Sequence, residues 1–215
     1  MKNKKVVLLS VVLLIIGFIA VTVFYQKNED KKIQKMASKS SGAPFVREHS
    51  PSFGKNENKV TIVEFLDPEC EACRAFHPAI KKVFKEYSDE SRLVVRYLAN
   101  HKNSKFVVRL LEAARKQGKY NETLDVIFKY QPKWAQHNNP KPQLLWDFLV
   151  EANLDMVKLR EDFDSNYIDG MLSLDRADAT KLKVRGTPTF FVNGKELKRL
   201  SYQSLLDLVE SEIYK

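Results

Sequence analysis

Residues 59–78 read KVTIVEFLDPECEACRAFHP, and most of the fold can be inferred from this stretch. Its first eight residues are rich in β-branched and aromatic side chains and are apolar on both faces, which predicts a buried central strand. Asp67 and Pro68 end the strand, and apolar residues then recur at helical spacing from Cys70 to Tyr87. The sequence therefore predicts a strand that turns directly into a helix, with two cysteines at the junction.

The two cysteines, Cys70 and Cys73, form a C-x-x-C pair at the start of the predicted helix. Unpaired N–H groups and a partial positive charge at a helix N-terminus favour the thiolate form of the first cysteine, which is the form that attacks disulfides. Cys73 lies one helical turn further along and can resolve a mixed disulfide formed at Cys70. This placement points to thiol–disulfide exchange.

Three other interpretations of the pair compete with this one: a zinc site, a purely structural disulfide and two unrelated buried cysteines. A zinc site needs about four ligands, and the histidines do not form a second ligand pair at zinc-knuckle spacing; they are His49, His77, His101 and His137. A disulfide closing so short a loop would restrict the unfolded chain by only about 2 kcal/mol. The redox pair remains the favoured interpretation, and no metal site or cofactor is predicted.

The rest of the chain predicts an α/β domain. A second strand is expected at residues 93–98, and helical spacing of apolar residues extends from 104 to about 182. Strand character returns at residues 189–192, where Asn193-Gly194 predicts a tight hairpin turn. A last amphipathic helix is expected from about residue 202 to 213.

Three segments resemble the DsbA-like branch of the thioredoxin superfamily: EFLDPECEACRAFHP at 64–78, VRGTPTFFVNG at 184–194 and LEAARKQGKYNETLDVIF at 111–128. The resemblance covers residues 45–215. It implies a thioredoxin fold with a central mixed sheet, a helical domain inserted at about 104–182, and thiol–disulfide oxidoreductase activity toward exported proteins.

The resemblance also assigns roles to individual residues. Cys70 would be the exposed nucleophile and Cys73 the buried resolving thiol. Pro188 falls where the family has a cis-proline that faces the cysteines, and Thr187 precedes it. Glu64, six residues before Cys70, falls where the family has a buried acidic residue.

The strand pattern also places Glu64 in an apolar run. A desolvated carboxylate there would have a raised pKa and could accept the proton of Cys73, directly or through water. The alternative is that Glu64 faces solvent on an edge strand.

One departure from the family limits the analogy. Strongly oxidising members place a histidine between the cysteines, whereas this chain has Glu71-Ala72 there, with Asp67 and Glu69 just upstream. Acidic neighbours disfavour the thiolate, so the pKa of Cys70 is expected to lie below that of free cysteine but above those of the strongest oxidants. The hydroxyl of Thr187, which precedes Pro188, has the opposite effect because it can donate a hydrogen bond to the thiolate and lower the Cys70 pKa. The sequence therefore leaves oxidase, isomerase and reductase directions open.

The N-terminus predicts a membrane anchor. Residues 6–24 carry no charge, and as a helix they would extend about 28 Å, close to the ~30 Å hydrocarbon core. The prediction is a single uncleaved span in a bacterial cytoplasmic membrane, with residues 1–5 cytoplasmic, a stalk at 25–44 and the domain on the periplasmic or other extracytoplasmic side. A cleaved signal peptide and a buried core helix are the alternatives.

The net charge of +9 is concentrated near that span, since residues 1–40 contribute +6 and the remainder only +3. A nucleic-acid-binding groove is therefore not indicated. The predicted partners are exported protein thiols and disulfides as substrates, together with a membrane redox partner. Two functions of other classes are alternatives: a non-catalytic interaction module, and a periplasmic protein that holds copper(I) on its two thiolates.

Overall fold

A computed structural model describes residues 45–55, 58–164 and 167–215. The predicted anchor at 6–24 and the predicted stalk at 25–44 lie outside the described residues. Within the part of the chain that is described, no helix combines the length and apolar character needed to cross a membrane.

The order of the elements is that of a thioredoxin-like α/β fold with a helical insertion. The described strands are β1 (Ser52–Phe53), β2 (Val60–Leu66), β3 (Ser91–Tyr97), β4 (Thr189–Val192) and β5 (Lys195–Glu196). The described α-helices are α1 (Glu71–Glu86), α2 (Ser104–Arg115), α3 (Tyr120–Trp134), α4 (Leu145–Phe148), α5 (Met156–Phe163), α6 (Tyr167–Lys181) and α7 (Tyr202–Ile213). The predicted strands, hairpin and terminal helix are confirmed within one or two residues at their ends.

The sheet is mixed, as expected, with strand order β1-β3-β2-β4-β5. β2 runs parallel to β3 and antiparallel to β4, and Leu66 is opposite Tyr97 in the parallel register. β2 is therefore a central strand. Because the carboxyl ends of β2 and β3 lie at the same edge of the sheet, the loops that follow these strands meet there.

Helices cover both faces of the sheet. On one face, Ile62 packs against apolar residues of α1 and α7, among them Phe76 and Leu205. On the other face, Val63 packs with Ala179 of α6 and with the segment that begins at residue 45. A central strand covered on both faces explains why β2 reads as a continuous apolar run.

The helical domain predicted at about 104–182 is present as α2 to α6, between β3 and β4. Its apolar core is continuous with Leu66, Cys70 and Cys73. The cysteine pair consequently lies where the thioredoxin fold and the inserted helices meet.

A buried ionic cluster attaches α6 and the segment before β1 to β3. Arg96 of β3 is fully buried, with Nε 2.8 Å from Asp175 Oδ1 and Nη2 2.6 Å from Asp178 Oδ2. Asp178 also accepts from Arg47, and Asp175 accepts from His49. Such a cluster offsets the cost of burying each charge. No local pattern in the sequence predicts this cluster.

Candidate active site

Cys70 ends the turn that joins β2 to α1, and Cys73 lies in the first turn of α1. Cys70 is the residue before the first helical turn, and its N–H donates to the carbonyl of Asp67 (3.1 Å). Both thiols are free and buried, with Cys70 8% and Cys73 1% exposed. Cys70 is therefore the more accessible of the two, as predicted, although the expectation that it would be an exposed residue is wrong.

The Cys70 thiolate is strongly stabilised by its surroundings. A hydrogen bond from the Cys73 thiol is the largest cause and outweighs the opposing effect of burial; the Thr187 side chain and the N–H groups of Cys73 and Ala72 also contribute. Together they lower the pKa of Cys70 to about 5. This value lies below the ~8.5 of free cysteine and above the ~3.5 of the strongest oxidants, the interval expected from the sequence.

Cys73 has the opposite protonation behaviour. Burial raises its pKa far above the ordinary range, and the hydrogen bond to Cys70 and the nearby Glu64 carboxylate raise it further. At neutral pH the pair therefore consists of a Cys70 thiolate and a Cys73 thiol.

The loop before β4 faces Cys70. The peptide bond between Thr187 and Pro188 is cis, in agreement with the family resemblance. The Cys70 thiol lies 3.3 Å from the Thr187 carbonyl oxygen, to which it can donate when protonated. Thr187 thus lies against the Cys70 sulfur, and its side chain favours the thiolate.

Glu64 lies beneath the cysteines on the central strand. It is 3% exposed and is paired in register with Val95 on β3 and Phe190 on β4, so the alternative of a solvent-facing edge position is wrong. Alternation along β2 places Glu64 on the same face as Leu66, which packs with both cysteines. Burial raises the pKa of Glu64 to about 8.

The acidic residues around Cys70 are arranged differently from the expectation. Asp67 and Glu69 accept hydrogen bonds from the loop that precedes α2, and Glu71 is 65% exposed beside His137. Their charges are therefore offset by donors or screened by water. Hydrogen bonds to the sulfur have the larger effect on the Cys70 pKa.

Gln131 of α3 is a site residue that the sequence analysis missed. Its buried amide donates to the carbonyls of Pro68 (3.0 Å) and Cys70 (3.1 Å), and its oxygen accepts from Arg74 Nε (2.8 Å). It joins the inserted domain to the cysteine turn. A cavity of about 400 Å³ opens beside it, lined by Glu71, Arg74, Gln131, Pro132, Ala135, Gln136, His137, Asn138 and Asn139.

The four histidines considered as zinc ligands each lie beside a carboxylate. His49 pairs with Asp175, His77 with Asp125, His101 with Asp67 and His137 with Glu71. Among the described residues, no group of three or more His, Cys, Asp and Glu side chains could hold a metal ion.

Comparison with known proteins identifies the family. A family model described as "Thioredoxin" matches residues 47–211. The chain belongs to the thioredoxin family. Within it, this chain is a DsbA-like thiol–disulfide oxidoreductase, as the three sequence segments predicted.

Individual relatives agree with this assignment. The DsbA-like chain is 29% identical to "Probable disulfide bond formation protein D" of Bacillus cereus over 226 aligned positions that cover all of both chains. The oxidised crystal structure of BdbD from Bacillus subtilis superposes with a TM-score of 0.67 at 25% identity, over 77% of this chain and 94% of that one. The chain is also 29% identical to the Na(+)/H(+) antiporter NhaA of Herminiimonas arsenicoxydans, of which it spans only 27% of the length.

Proposed function

We propose that this protein introduces disulfide bonds into exported proteins by means of the Cys70–Cys73 pair. The observation that carries the proposal is the hydrogen-bonded Cys70 sulfur at the start of α1, whose pKa is about 5. A stabilised thiolate favours the reduced enzyme and therefore makes its disulfide the better oxidant. Oxidation of substrates is the direction that this geometry favours.

The reaction transfers two electrons from a substrate dithiol to the enzyme disulfide. A substrate thiolate attacks Sγ of Cys70, the Cys70–Cys73 bond breaks, and Cys73 leaves as a thiolate that takes up a proton. A second substrate thiolate then attacks the substrate sulfur of the mixed disulfide. Cys70 leaves as a stable thiolate, and the substrate has gained a disulfide.

Glu64 supplies the proton to Cys73 in this scheme. With a pKa of about 8, the buried carboxyl group is mostly protonated at pH 7 and can donate to the departing thiolate. In the reverse direction, the ionised carboxylate accepts the Cys73 proton. The Glu64 carboxylate raises the Cys73 pKa, which supports a proton transfer between them, either direct or through one water molecule.

Each turnover leaves the pair reduced, so a reoxidant must return it to the disulfide. We place this partner in the membrane, because residues 6–24 form an uncharged stretch long enough to span one. The protein would then be held on the extracytoplasmic side by a single span. Extraction of cell membranes with alkaline carbonate tests this: an anchored chain stays with the membrane fraction, and release into the supernatant contradicts the anchor.

The function itself is tested with reduced, unfolded ribonuclease as substrate under anaerobic conditions. The oxidised wild-type protein should restore ribonuclease activity faster than an equal concentration of oxidised glutathione. Cys70→Ser should be inactive. A wild-type protein no faster than glutathione would contradict the oxidase role, and activity in Cys70→Ser would contradict the assigned nucleophile. A non-catalytic interaction module would fail in both arms.

A further inference from the structure

The Asp67 carboxylate is a buried acceptor with an unusually complete set of donors. It is fully buried directly after β2. Oδ1 accepts from Ser104 Oγ (2.6 Å) and from the N–H of Glu69 (2.9 Å). Oδ2 accepts from the N–H of Asn100 (2.8 Å) and from Nδ1 of His101 (2.8 Å). Burial of a carboxylate is tolerated only with such compensation.

His101 supplies the charged partner in that set. The parallel register of β2 and β3 brings the loop after β3 beside the cysteine turn, and the N–H of Leu98 donates to the carbonyl of Leu66 (2.9 Å). The His101 side chain is 44% exposed, so it exchanges protons freely with solvent. Asp67, in turn, is bonded through its carbonyl to the N–H of Cys70.

A buried negative charge three residues before Cys70 would disfavour the thiolate unless a positive charge balances it. The ring of His101 is the group that does so. Burial alone would lower the His101 pKa, but the hydrogen bond and charge of Asp67, together with Cys70 and Glu69, raise it above its ordinary value. Cys70, whose pKa is about 5, therefore ionises while His101 is protonated.

We propose that His101 is a positioning residue for the proposed reaction: its imidazolium neutralises the buried Asp67 carboxylate and thereby stabilises the Cys70 thiolate from the loop after β3. The loop thus supplies the cation that strongly oxidising relatives place between the two cysteines, where this chain has Glu71-Ala72. The inference rests on the proposed oxidase role for its biological meaning, but not for its test.

The charged groups around His101 determine its pH dependence. Asp67 and Glu69 face it from the turn after β2, and Cys70 faces it from the start of α1. Arg176 of α6 binds the same loop through the carbonyl of Ala99 (2.8 Å), and Lys102 is its exposed neighbour in the chain. As pH rises through the His101 pKa, the cation is lost and the pair should become less oxidising.

A double-mutant cycle that removes the charges of Asp67 and His101 tests the proposal. For each variant, the Cys70 pKa is measured from the ultraviolet absorbance of the thiolate, and the reduction potential is measured by equilibration with glutathione. His101→Asn keeps an N–H donor at the position of Nδ1 but removes the charge. It should weaken Cys70 ionisation roughly tenfold, as expected for one nearby charge, and lower the reduction potential by about 30 mV. Asp67→Asn should shift both quantities in the opposite direction.

The double variant Asp67→Asn/His101→Asn restores charge balance and should return the Cys70 pKa and the potential close to the wild-type values. Lys102→Gln removes an exposed charge of the same sign and should change neither. A His101→Asn variant that is less stable but keeps the wild-type Cys70 pKa would overturn the proposal, as would a double variant no closer to wild type than His101→Asn. Neither measurement uses a protein substrate, so both stand even if ribonuclease is not oxidised.

Discussion

Replacement of Glu64 by glutamine should slow the step in which Cys73 loses its proton. The amide keeps the shape of the side chain on β2 but cannot accept a proton. A positioned general base accelerates a proton-transfer step by at least ~100-fold when it is ionised. Because the Glu64 pKa is about 8, roughly one molecule in ten is ionised at pH 7 and half are at pH 8. The wild-type advantage should therefore be about tenfold at pH 7 and about fifty-fold at pH 8.

The assay mixes reduced protein with excess oxidised glutathione and quenches samples in acid for mass spectrometry. Cys70 first forms a mixed disulfide with glutathione, and attack by Cys73 then releases the second glutathione. The mixed disulfide should persist longer in Glu64→Gln, and the difference should shrink well above pH 8, where hydroxide deprotonates Cys73. Glu122→Gln, an exposed carboxylate on α3, is the matched control and should behave as wild type. Superimposable rates for wild type and Glu64→Gln between pH 6 and 8 would refute the proton route.

The same substitution has a predicted effect on stability. Because the folded-state pKa of Glu64 is raised from 4.5 to about 8, the stability associated with its protonated form is complete below pH 4.5 and is lost as pH rises through 8. At about 1.36 kcal/mol per pKa unit, the loss is at most roughly 5 kcal/mol. Urea unfolding should show a steeper fall in stability from pH 5 to pH 8 in wild type than in Glu64→Gln. If stability fell equally with pH in wild type and in Glu64→Gln, the pKa of Glu64 would be the same in the folded and unfolded protein, which would contradict this prediction.

Three further predictions follow from the site and the core. Iodoacetamide should modify Cys70 and not Cys73 in the native reduced protein; preferential labelling of Cys73, read by mass spectrometry, would reverse the two roles. Glu71→His places an imidazole between the cysteines and should lower the Cys70 pKa below about 5. The reduction potential should rise by roughly 30 mV for each tenfold shift of the glutathione equilibrium toward the reduced protein. An unchanged glutathione equilibrium would show that the dipeptide between the cysteines does not determine the potential. Asp178→Asn removes one of the two carboxylates that pair with the buried Arg96 and should cost about 3–5 kcal/mol in urea unfolding. Lys119→Gln, in an exposed pair, should cost less than about 1 kcal/mol.

The parts of the fold that depend on local pattern could be predicted from the sequence. The apolar run of β2, the helical spacing after Cys70 and the Asn193-Gly194 turn each specify their element through neighbouring residues, and all three are present. Two further features, the cis bond before Pro188 and the buried position of Glu64, could be predicted from the family resemblance, and both are present.

The remaining features depend on contacts between residues far apart in the chain. His101 meets Asp67 only because β2 and β3 are parallel and in a particular register. Gln131 reaches the Cys70 carbonyl across 61 residues of sequence. Neither residue carries a local pattern that distinguishes it from an ordinary polar side chain. For this reason, the acidic neighbours of Cys70 are evident from the sequence, whereas the donors that offset their charges are not.

The most direct test of the central claim is the reduction potential of the Cys70–Cys73 pair, measured by equilibration with glutathione at pH 7. Thioredoxin, with a nucleophile pKa of ~7, has a potential of about −270 mV, and the strongest oxidant of the superfamily lies near −120 mV. Lowering the Cys70 pKa to about 5 favours the reduced form by a further factor of roughly 50, or about 50 mV. The predicted potential therefore lies between about −220 and −120 mV. A value of about −270 mV or lower would show that the pair is a reductant and would contradict the account.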